Sequence, residues 1–334
     1  MSGTPGLGPH CIGQRVVVRR LLPGETGPTG GPRMTDLLGV METWADGVTT
    51  VRAESGEVTA IALADIVSGK PVPPRPSVRL RISAEDAERR ATASWPAVVT
   101  EPLGPWLLRA ANGFSTRANS VLAVGDPGVP FDHALTATTA FYAGHDLPPL
   151  AQVVVGSEVH TGFEGAGWVS ARPGEDDTLF QLGSVARALR EVRRTARPGP
   201  VAVSMSTAAT PAWLADDDRA LAYDEAALSV LESPDEVVFA SLAPEGRAGR
   251  DLVIAKGRAV YHDDWVGITN VWVSPAHRRR GLSLVVVGAL LEWAAERGAG
   301  TAYLQVRGDN AGALGLYERL GFLTHHSYRY LKPA

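Results

Sequence analysis

Short apolar runs rich in β-branched residues alternate with glycine-rich turns in the first part of the chain. Such runs are typical of strands, because branched side chains pack well on a pleated sheet. We predict four strands, at residues 15–19, 37–42, 48–52 and 58–62. Several short strands within residues 10–70 favour a small closed β-barrel of the SH3 type. The stretch 68–76 holds four prolines and is predicted to end this block, since proline lacks a backbone N–H.

The second block, residues 78–197, mixes helical and strand-like patterns. Ser83, with Asp86 three positions later, predicts the start of a helix that runs to Arg90. Further predicted elements are strands at 105–110, 120–124 and 151–155, and a helix over 131–143. The Arg/Pro/Gly-rich stretch 193–200 marks the predicted boundary to the next block.

The third block, residues 201–334, alternates strands and helices in the manner of an α/β domain. We predict helices over 224–231 and 282–297, and strands over 237–242, 251–255, 265–273 and 301–307. The 282–297 segment has apolar residues on more than one side, at Leu284, Val287 and Leu291 and again at Val286, Leu290 and Trp293. A helix with this pattern is expected to pack on a sheet.

The segment between the strand 265–273 and the helix 282–297 has a distinctive order. The strand stops before a proline, the chain turns through three arginines, and the helix opens at Gly281. A helix N-terminus leaves backbone N–H groups unpaired, and the helix dipole favours an anion there. Glycine permits close approach of a phosphate, and arginine adds positive charge. The segment therefore predicts a pyrophosphate-binding loop.

This order of strand, Val-x-Pro-x-x-Arg, glycine and helix resembles the acetyl-CoA pyrophosphate loop of the GNAT superfamily of N-acetyltransferases. A second motif, Asn310-x-x-Ala-x-x-Leu-Tyr317-x-x-x-Gly-Phe, is similar to the other half of the superfamily signature. The superfamily usually has glycine or alanine where this chain has Ser283. Serine is small and keeps its N–H, so we expect phosphate binding to survive.

The resemblance implies an α/β chain with the α+β GNAT fold, a mixed central sheet flanked by helices, and acetyl-CoA as co-substrate. It implies that the strand before the loop splays from its neighbour, and that the Val273 N–H polarises the thioester carbonyl. Tyr317 would be the general acid for the coenzyme A thiolate, since a phenol with a pKa of about 10 stays protonated at pH 7. Asn310 would contact the cofactor, cap its helix, or do both. The implied cofactor-binding residues are Trp272, Val273, Arg278, Arg279, Arg280, Gly281, Leu282, Ser283, Asn310 and Tyr317.

The whole chain is similar to an actinobacterial family with an N-terminal SH3-like barrel, a degenerate GNAT-like middle domain (78–197) and a competent GNAT domain (201–334). Members are often described as N-acetylglutamate synthases. The resemblance therefore implies glutamate as the first acceptor to consider, and a role in arginine biosynthesis. A diacid needs cationic partners. Arg117, with Asn119, in the polar run 113–121 is the predicted substrate contact, and Arg109 is the second candidate.

The general base is not identified by the sequence. The nearest titratable cluster upstream of the splayed strand is His262, Asp263 and Asp264. That cluster also fits a polar hairpin turn, and a chain of water molecules is a further alternative. We expect residues 201–334 to bind acetyl-CoA on their own, because both motifs lie within them.

Composition narrows the class of partner. A net charge of -4 and a pI near 6.1 argue against a general nucleic-acid or membrane-surface binder. Cys11 is the only cysteine, which excludes an intrachain disulfide and makes the cytoplasm the expected location. No histidine pair has the spacing of a zinc site, so we expect no metal. A homodimer is compatible with the sequence.

The sequence does not identify the acceptor of the acetyl group. The leading function is acetyl transfer from acetyl-CoA to a primary amine of a small molecule. Alternative acceptors are a protein amine, a polyamine or an aminoglycoside-like amine. A different class is a non-catalytic acyl-CoA-binding module whose barrel recruits a partner. The presence of Asn310 and Tyr317 weighs against that class.

Overall fold

The computed structural model describes residues 6–27, 30–53, 55–72, 78–196, 201–215, 218–244 and 253–334. The chain divides into two compact units, Met1–Ser77 and Val78–Ala334. The predicted strand at 251–255 starts outside the described residues, and the strand found there runs from Ala255 to His262.

The first unit is a five-stranded antiparallel sheet with the order β4-β3-β2-β1-β5. Its strands are β1 (Arg15–Thr26), β2 (Pro32–Ala45), β3 (Val48–Ala53), β4 (Val58–Ala62) and β5 (Ile66–Pro71). The four predicted strands are present, and buried Val16, Val18, Met41, Val51 and Ile61 form their core.

Two expectations for this unit do not hold. No pairing joins the outer strands β4 and β5 within the described residues, so a closed barrel is not seen. The strand β5 also extends into the stretch 68–76, because Pro71 lies at the end of an outer strand, where a missing N–H costs little. Residues 73–76 of that stretch lie outside the described residues.

The second unit is built on one mixed sheet with the order β12-β13-β14-β15-β16-β11-β17-β9-β8-β7-β6, and β10 pairs with β17. Its strands are β6 (Val99–Leu103), β7 (Trp106–Ala110), β8 (Val121–Ala123), β9 (Ala151–Val154), β10 (Trp168–Ser170), β11 (Thr178–Ser184), β12 (Val201–Ser206), β13 (Val237–Pro244), β14 (Ala255–His262), β15 (Trp265–Val273), β16 (Thr301–Arg307) and β17 (Leu323–Pro333). Its helices are α1 (Ala84–Ala91), α2 (Phe131–Ala143), α3 (Glu158–Gly165), α4 (Val185–Thr195), α5 (Pro211–Leu214), α6 (Asp218–Ala222), α7 (Asp224–Leu231), α8 (Leu282–Glu296) and α9 (Ala311–Arg319).

Local signals place several of these helices as predicted. The Ser83 side chain accepts a hydrogen bond from the Asp86 N–H and caps α1. Helix α8 buries Val286, Val287, Leu290 and Leu291 against the sheet and α4, in agreement with its apolar pattern. The resulting layer of helix on a mixed sheet is the predicted α/β architecture.

Two strand–helix–strand crossovers join parallel neighbours in the described part of this unit. One is β8–α2–β9, in which residues 121–123 pair with residues 151–153. The other is β15–α8–β16, in which residues 265–268 pair with residues 301–304. Each crossover has the connectivity that a helix on one face of the sheet provides.

The two predicted halves of this unit, residues 78–197 and 201–334, each place one strand beside strands of the other half. Strand β11, from the middle block, pairs with β16 and β17, and β17 also pairs with β9. Helix α4 extends to Thr195, into the start of the predicted boundary at 193–200, and packs in the same core as α8.

The piece 201–334 alone therefore lacks a central strand and a core helix, and the expectation that it binds acetyl-CoA by itself loses its physical basis. The division into halves at 78–197 and 201–334 stays a prediction, now within one compact unit.

Candidate active site

Strand β15 separates from β16 halfway along its length. The two strands pair through Ile268 and Leu304, and no pairing with β16 follows over residues 269–273. The register with β14 shifts at the same point, where Asn270 has a φ of 54°. A bulge of this kind bends a strand and redirects it. The predicted splay is therefore present, and it leaves an unpaired edge of five residues, about 16 Å long, for an extended ligand.

The loop after β15 ends in two left-handed residues. Arg279 has a φ of 63°, and Gly281, at the N-terminus of α8, has a φ of 75°. The N–H groups of residues 279–283 donate to no other described residue, and no atom lies within 4 Å of the position that a Cβ on Gly281 would take. Unpaired N–H groups around left-handed residues form a concave anion site. Our structure thus has the local geometry of a pyrophosphate loop.

The three arginines of this loop are exposed. Arg278 donates from Nε to the Val273 carbonyl oxygen at 3.3 Å. No carboxylate of a described residue forms an ion pair with Arg278, Arg279 or Arg280. Their charges are therefore free to act on an anionic ligand.

A cavity of about 660 Å³ opens beside the loop. Its walls include Gly281, Ser283 and Leu284 at the start of α8, and Leu316 and Arg319 of α9. A cavity of this volume is large enough for a cofactor-sized ligand. Trp272 is half-buried in the splayed segment, and the Leu282 side chain is in the core, so that Leu282 can offer only its backbone.

Tyr317 lies on α9, within the second motif, which begins at Asn310. It is buried and packs against Phe322 with ring centres 5.7 Å apart. Burial raises the pKa of the Tyr317 phenol to about 12, because the phenolate would lose its hydration. The group is thus fully protonated at neutral pH, as an acid catalyst must be. Asn310 caps the same helix by accepting from the Ala313 N–H at 3.1 Å, as predicted.

A second cavity, of about 240 Å³, lies where the splay begins. Residues from both predicted halves line it, among them Arg117, Arg172, Asn270, Gln305 and Arg307. Arg172 and Arg307 both reach the Glu175 carboxylate, at 3.8 and 3.1 Å respectively. We call this space the acceptor cavity.

Arg117 is placed differently from the other two arginines of the acceptor cavity. Its Nη2 donates to the Tyr328 hydroxyl at 3.4 Å, and its guanidinium lies 5.3 Å from the Trp95 ring centre. Its Nε is buried without a hydrogen-bond partner. No carboxylate of a described residue is within ion-pair distance of it. Arg117 is therefore a charged donor with unused capacity.

Asn119 does not face the acceptor cavity. Its Oδ1 accepts from the Ala111 and Gly113 N–H groups, and its Nδ2 donates to the Phe114 and Ser115 carbonyl oxygens. All four bonds hold the loop that carries Arg117, so no capacity remains for a ligand. The prediction that Asn119 contacts the substrate is therefore wrong, because its side chain binds only the backbone of its own loop.

The second candidate, Arg109, is also unavailable. It is fully buried and bonds to the Ser120 carbonyl, the Ser120 hydroxyl and the Gln152 amide. The cluster of His262, Asp263 and Asp264 forms the hairpin between β14 and β15, where Asp263 has a φ of 53°. That hairpin is at the opposite end of β15 from Val273, about 26 Å of strand away. The hairpin-turn alternative is the one that this geometry favours.

Sequence reasoning missed Arg258, which is completely buried on β14. It donates to the Leu231 and Ser94 carbonyl oxygens at 2.8 and 2.9 Å and to the Thr269 hydroxyl at 3.4 Å. Its Nη2 has no partner, and burial lowers the pKa of the guanidinium to about 9. The signal was there in the sequence: Lys256 and Arg258 interrupt an apolar strand at alternate positions.

Comparison with known proteins gives consistent results. A family model described as "Probable histone acetyltransferase Rv0428c C-terminal" matches residues 83–331, and one described as "Rv0428c N-terminal Sm-like domain" matches residues 10–70. The "Probable histone acetyltransferase Rv0428c" of Mycobacterium tuberculosis is 29% identical over 350 residues, covering 100% of this chain and 97% of that protein. The "Uncharacterized N-acetyltransferase YobR" of Bacillus subtilis is 28% identical over 253 residues, covering 72% of this chain and 96% of that protein.

Among solved structures, a "GCN5-related N-acetyltransferase from Kribbella flavida" has a TM-score of 0.51 at 18% identity, covering 77% of this chain and 95% of that one. This likeness supports the fold. The description of the first unit is Sm-like, and the SH3 type is not confirmed. No helix in the described residues is long and apolar enough to cross a membrane. Since the first family model covers most of the chain, the chain belongs to the Rv0428c-like family of GNAT N-acetyltransferases, with an N-terminal Sm-like domain.

Proposed function

We propose that this acetyltransferase transfers the acetyl group of acetyl-CoA to the primary amine of a small molecule that carries a carboxylate, and that glutamate is the first acceptor to test. The observation that carries the proposal is Arg117, a guanidinium in the acceptor cavity without a carboxylate partner among the described residues.

The cofactor side of the proposal uses the loop and the splayed strand. The free N–H groups of residues 279–283 and the three loop arginines bind the pyrophosphate. The unpaired edge of residues 269–273 binds the pantetheine arm, and the Val273 N–H polarises the thioester carbonyl. When the amine attacks, Tyr317 gives its proton to the departing thiolate, and the proton that the amine nitrogen loses restores the Tyr317 phenol, so that the products are a neutral thiol and an amide.

The preference for an acceptor with a carboxylate is argued from two buried arginines. Arg117 and Arg258 both contact the Trp95 ring, at 5.3 and 5.5 Å, and each has a buried nitrogen without a partner. A buried cation without a counter-charge is costly, and an anionic ligand offsets that cost. An acceptor with a carboxylate is therefore favoured over a neutral amine.

The same charges argue against the other acceptors. The Mycobacterium tuberculosis relative is named a probable histone acetyltransferase. A lysine-rich peptide or a polyamine is strongly cationic and would meet the Arg117 guanidinium, which has no carboxylate partner among the described residues, in a cavity of about 240 Å³. Like charges at this range are unfavourable, and the small volume suits a compact acceptor. A homodimer and a cytoplasmic location stay predictions.

The test is a thiol-release assay with the full chain over amino acids, polyamines, aminoglycosides and lysine peptides. Arg117→Ala should raise the KM for glutamate on the order of 10- to 150-fold, because it removes a charge-assisted hydrogen bond. The KM for acetyl-CoA should change little. A matched control is Arg190→Ala, which removes an exposed arginine of α4. Equal losses for glutamate and an uncharged amine in Arg117→Ala would contradict the proposal.

A further inference from the structure

A chain of hydrogen bonds links the buried interior of the second unit to the wall of the acceptor cavity. Arg109 Nη2 donates to Gln152 Oε1 at 2.8 Å, and Gln152 Nε2 donates to Glu88 Oε2 at 2.8 Å. Gln305 Nε2 donates to the same Glu88 oxygen at 3.3 Å. Arg109, Gln152 and Glu88 are each at most 2% exposed, whereas Gln305 lines the acceptor cavity.

The direction of these bonds is fixed by chemistry. Arginine has donors only, so Gln152 must turn its carbonyl oxygen to Arg109 and its NH2 group to Glu88. Glu88 Oε2 therefore accepts. If that oxygen carried a proton, it could instead donate to Gln305.

The other oxygen of Glu88 is at the start of a second chain of hydrogen bonds. Glu88 Oε1 lies 2.9 Å from His326 Nε2, His326 Nδ1 lies 2.7 Å from His325 Nδ1, and His325 Nε2 lies 2.8 Å from the Ile82 carbonyl oxygen. A carbonyl only accepts, so His325 Nε2 carries a proton. Filling the two other bonds takes two more protons. Two neutral histidines carry two ring protons in all, so the second of these fills one of the two bonds. The remaining bond is filled by a third proton, which Glu88 and the histidines share.

That shared proton makes the three residues neutral as a group. A further proton on Glu88 Oε2 would make the group cationic beside the buried Arg109 and the unneutralised Arg117 and Arg258, which is unfavourable. Burial also lowers the pKa of His325, which opposes extra protonation there. Glu88 Oε2 thus stays a pure acceptor, and Gln305 must present its NH2 group to it.

A fixed NH2 group leaves the other end of the amide for the cavity. No described residue donates to Gln305 Oε1. Gln305 lies one residue beyond Leu304, the last partner of β15 in β16, and so at the point where the splay begins. Its free atom is therefore a hydrogen-bond acceptor beside the segment along which the thioester is proposed to lie.

We infer that Gln305 is a specificity-determining residue that accepts a hydrogen bond from the acceptor amine, and that Glu88, held by His326, His325 and Gln152, is the positioning residue that fixes its amide. This inference rests on the proposed function, because it concerns the same acceptor. Arg117 then binds the carboxylate, and Gln305 binds the amine. Together they select a compact amino acid over a carboxylate that lacks the amine and over an amine that lacks a carboxylate.

The first experiment separates the two ends of the acceptor. Glutamate carries both groups, and glutarate lacks the amine. Gln305→Met should raise the KM for glutamate about tenfold, and should leave the inhibition constant of glutarate and the KM for acetyl-CoA unchanged. Arg117→Ala should weaken both glutamate and glutarate. Gln181→Met, on the neighbouring strand β11 and outside the cavity lining, is the matched control and should behave as wild type.

The second experiment tests the positioning role. In Glu88→Gln the new amide can accept from Gln152 and Gln305 through its oxygen and donate to His326 through its nitrogen, so all bonds are kept without the shared proton. This variant should retain the wild-type KM for glutamate. Glu88→Leu frees the Gln305 amide to turn, and should reproduce the selective loss for glutamate over glutarate. If Glu88→Leu does not fold, Glu88→Gln decides alone, since a raised KM for glutamate in that variant would contradict the positioning role.

The outcomes are distinct. If Gln305→Met weakens glutarate as much as glutamate, or changes neither, Gln305 does not bind the amine and only this inference falls. If Glu88→Gln is as impaired as Glu88→Leu, the positioning role falls. If the enzyme neither acetylates glutamate nor binds glutarate, the proposed function falls and takes this inference with it.

Discussion

The crossovers β15–α8–β16 and β8–α2–β9 have the same connectivity but different edges. In the first, the parallel strands part after four paired residues, which leaves residues 269–273 unpaired on that side. In the second, all three residues of β8 pair with β9. An extended ligand can therefore add to the first crossover and finds no open strand in the second. This difference is set by the bulge at Asn270 rather than by the topology.

The loops before α8 and α2 also differ in their capacity to bind an anionic ligand. The loop before α8 offers free N–H groups and three arginines. In the loop before α2, the Gly128 N–H donates to the Asp126 carboxylate at 2.9 Å, and Pro130 precedes the helix without a side-chain cap. Asp132 then occupies the first turn, where an anion would bind. The carboxylates of Asp126 and Asp132 thus occupy the places where an anionic ligand would bind before α2. Anion binding therefore depends on the side chains of the loop, although the two crossovers share their connectivity.

Gly281→Glu should have the largest effect, a loss of acetyl-CoA binding. Gly281 and Gly128 have φ angles of 75° and 74°, and at neither residue does an atom lie within 4 Å of the position that a Cβ would take. The strain of a side chain is thus alike at both positions, on the order of 1–2 kcal/mol. Only at Gly281 would the new carboxylate face the pyrophosphate. We expect Gly281→Glu to abolish acetyl-CoA binding in calorimetry with the full chain and Gly128→Glu to leave it intact. Equal affinity for the two variants would overturn the loop assignment.

Tyr317→Phe should have the next largest effect. It keeps the ring and removes the acid, so kcat should fall about 10²-fold or more while acetyl-CoA affinity stays unchanged. Because burial raises the pKa of Tyr317 to about 12, loss of its proton should not lower kcat of the wild type anywhere below about pH 11.

The matched control for this prediction is Tyr142→Phe in α2. The Tyr142 hydroxyl donates to the Arg109 carbonyl oxygen at 3.1 Å. Its loss should cost about 1 kcal/mol of unfolding free energy and leave kcat in place. Unchanged turnover in Tyr317→Phe, under conditions where chemistry limits the rate, would show that another group protonates the thiolate.

The smallest effect should come from the helix caps. Asn310 caps α9 and Ser157 caps α3 through one hydrogen bond each, of 3.1 Å in both cases. Asn310→Ala and Ser157→Ala should each lower the unfolding free energy by about 1 kcal/mol, measured by denaturant titration. If Asn310 also contacts the cofactor, its variant alone should lose acetyl-CoA affinity. Identical affinities would leave Asn310 with the capping role only.

Sequence alone predicts the parts of the site that are built from neighbouring residues. The N-terminus of α8, the bounds of β15 and β16 and the caps at Ser83 and Asn310 depend on local spacing, and all agree with the structure. The open first sheet differs from the predicted barrel because strand count alone does not determine whether the outer strands pair.

The acceptor side is less predictable because its partners are distant in the chain. Asn119 has the same residue type whether it binds substrate or the backbone of its own loop. Glu88 and Gln305 are separated by 217 positions, and a lone glutamate on a helix is typical of an exposed face. Arg258 is buried by α7 and by the segment around Ser94, neither of which its own strand pattern indicates.

The exchange of β11 and β17 has a consequence for the order in which the second unit can form. Strand β17 lies between β11 and β9, and it pairs Tyr328 with Val154, 174 positions earlier. During synthesis, β9 and β11 therefore have no partner on that side until β17 leaves the ribosome. Pairings of such long range are slow to form and leave unpaired strands open to aggregation. We expect this unit to fold late and as a whole, and its nascent chain to depend on chaperones.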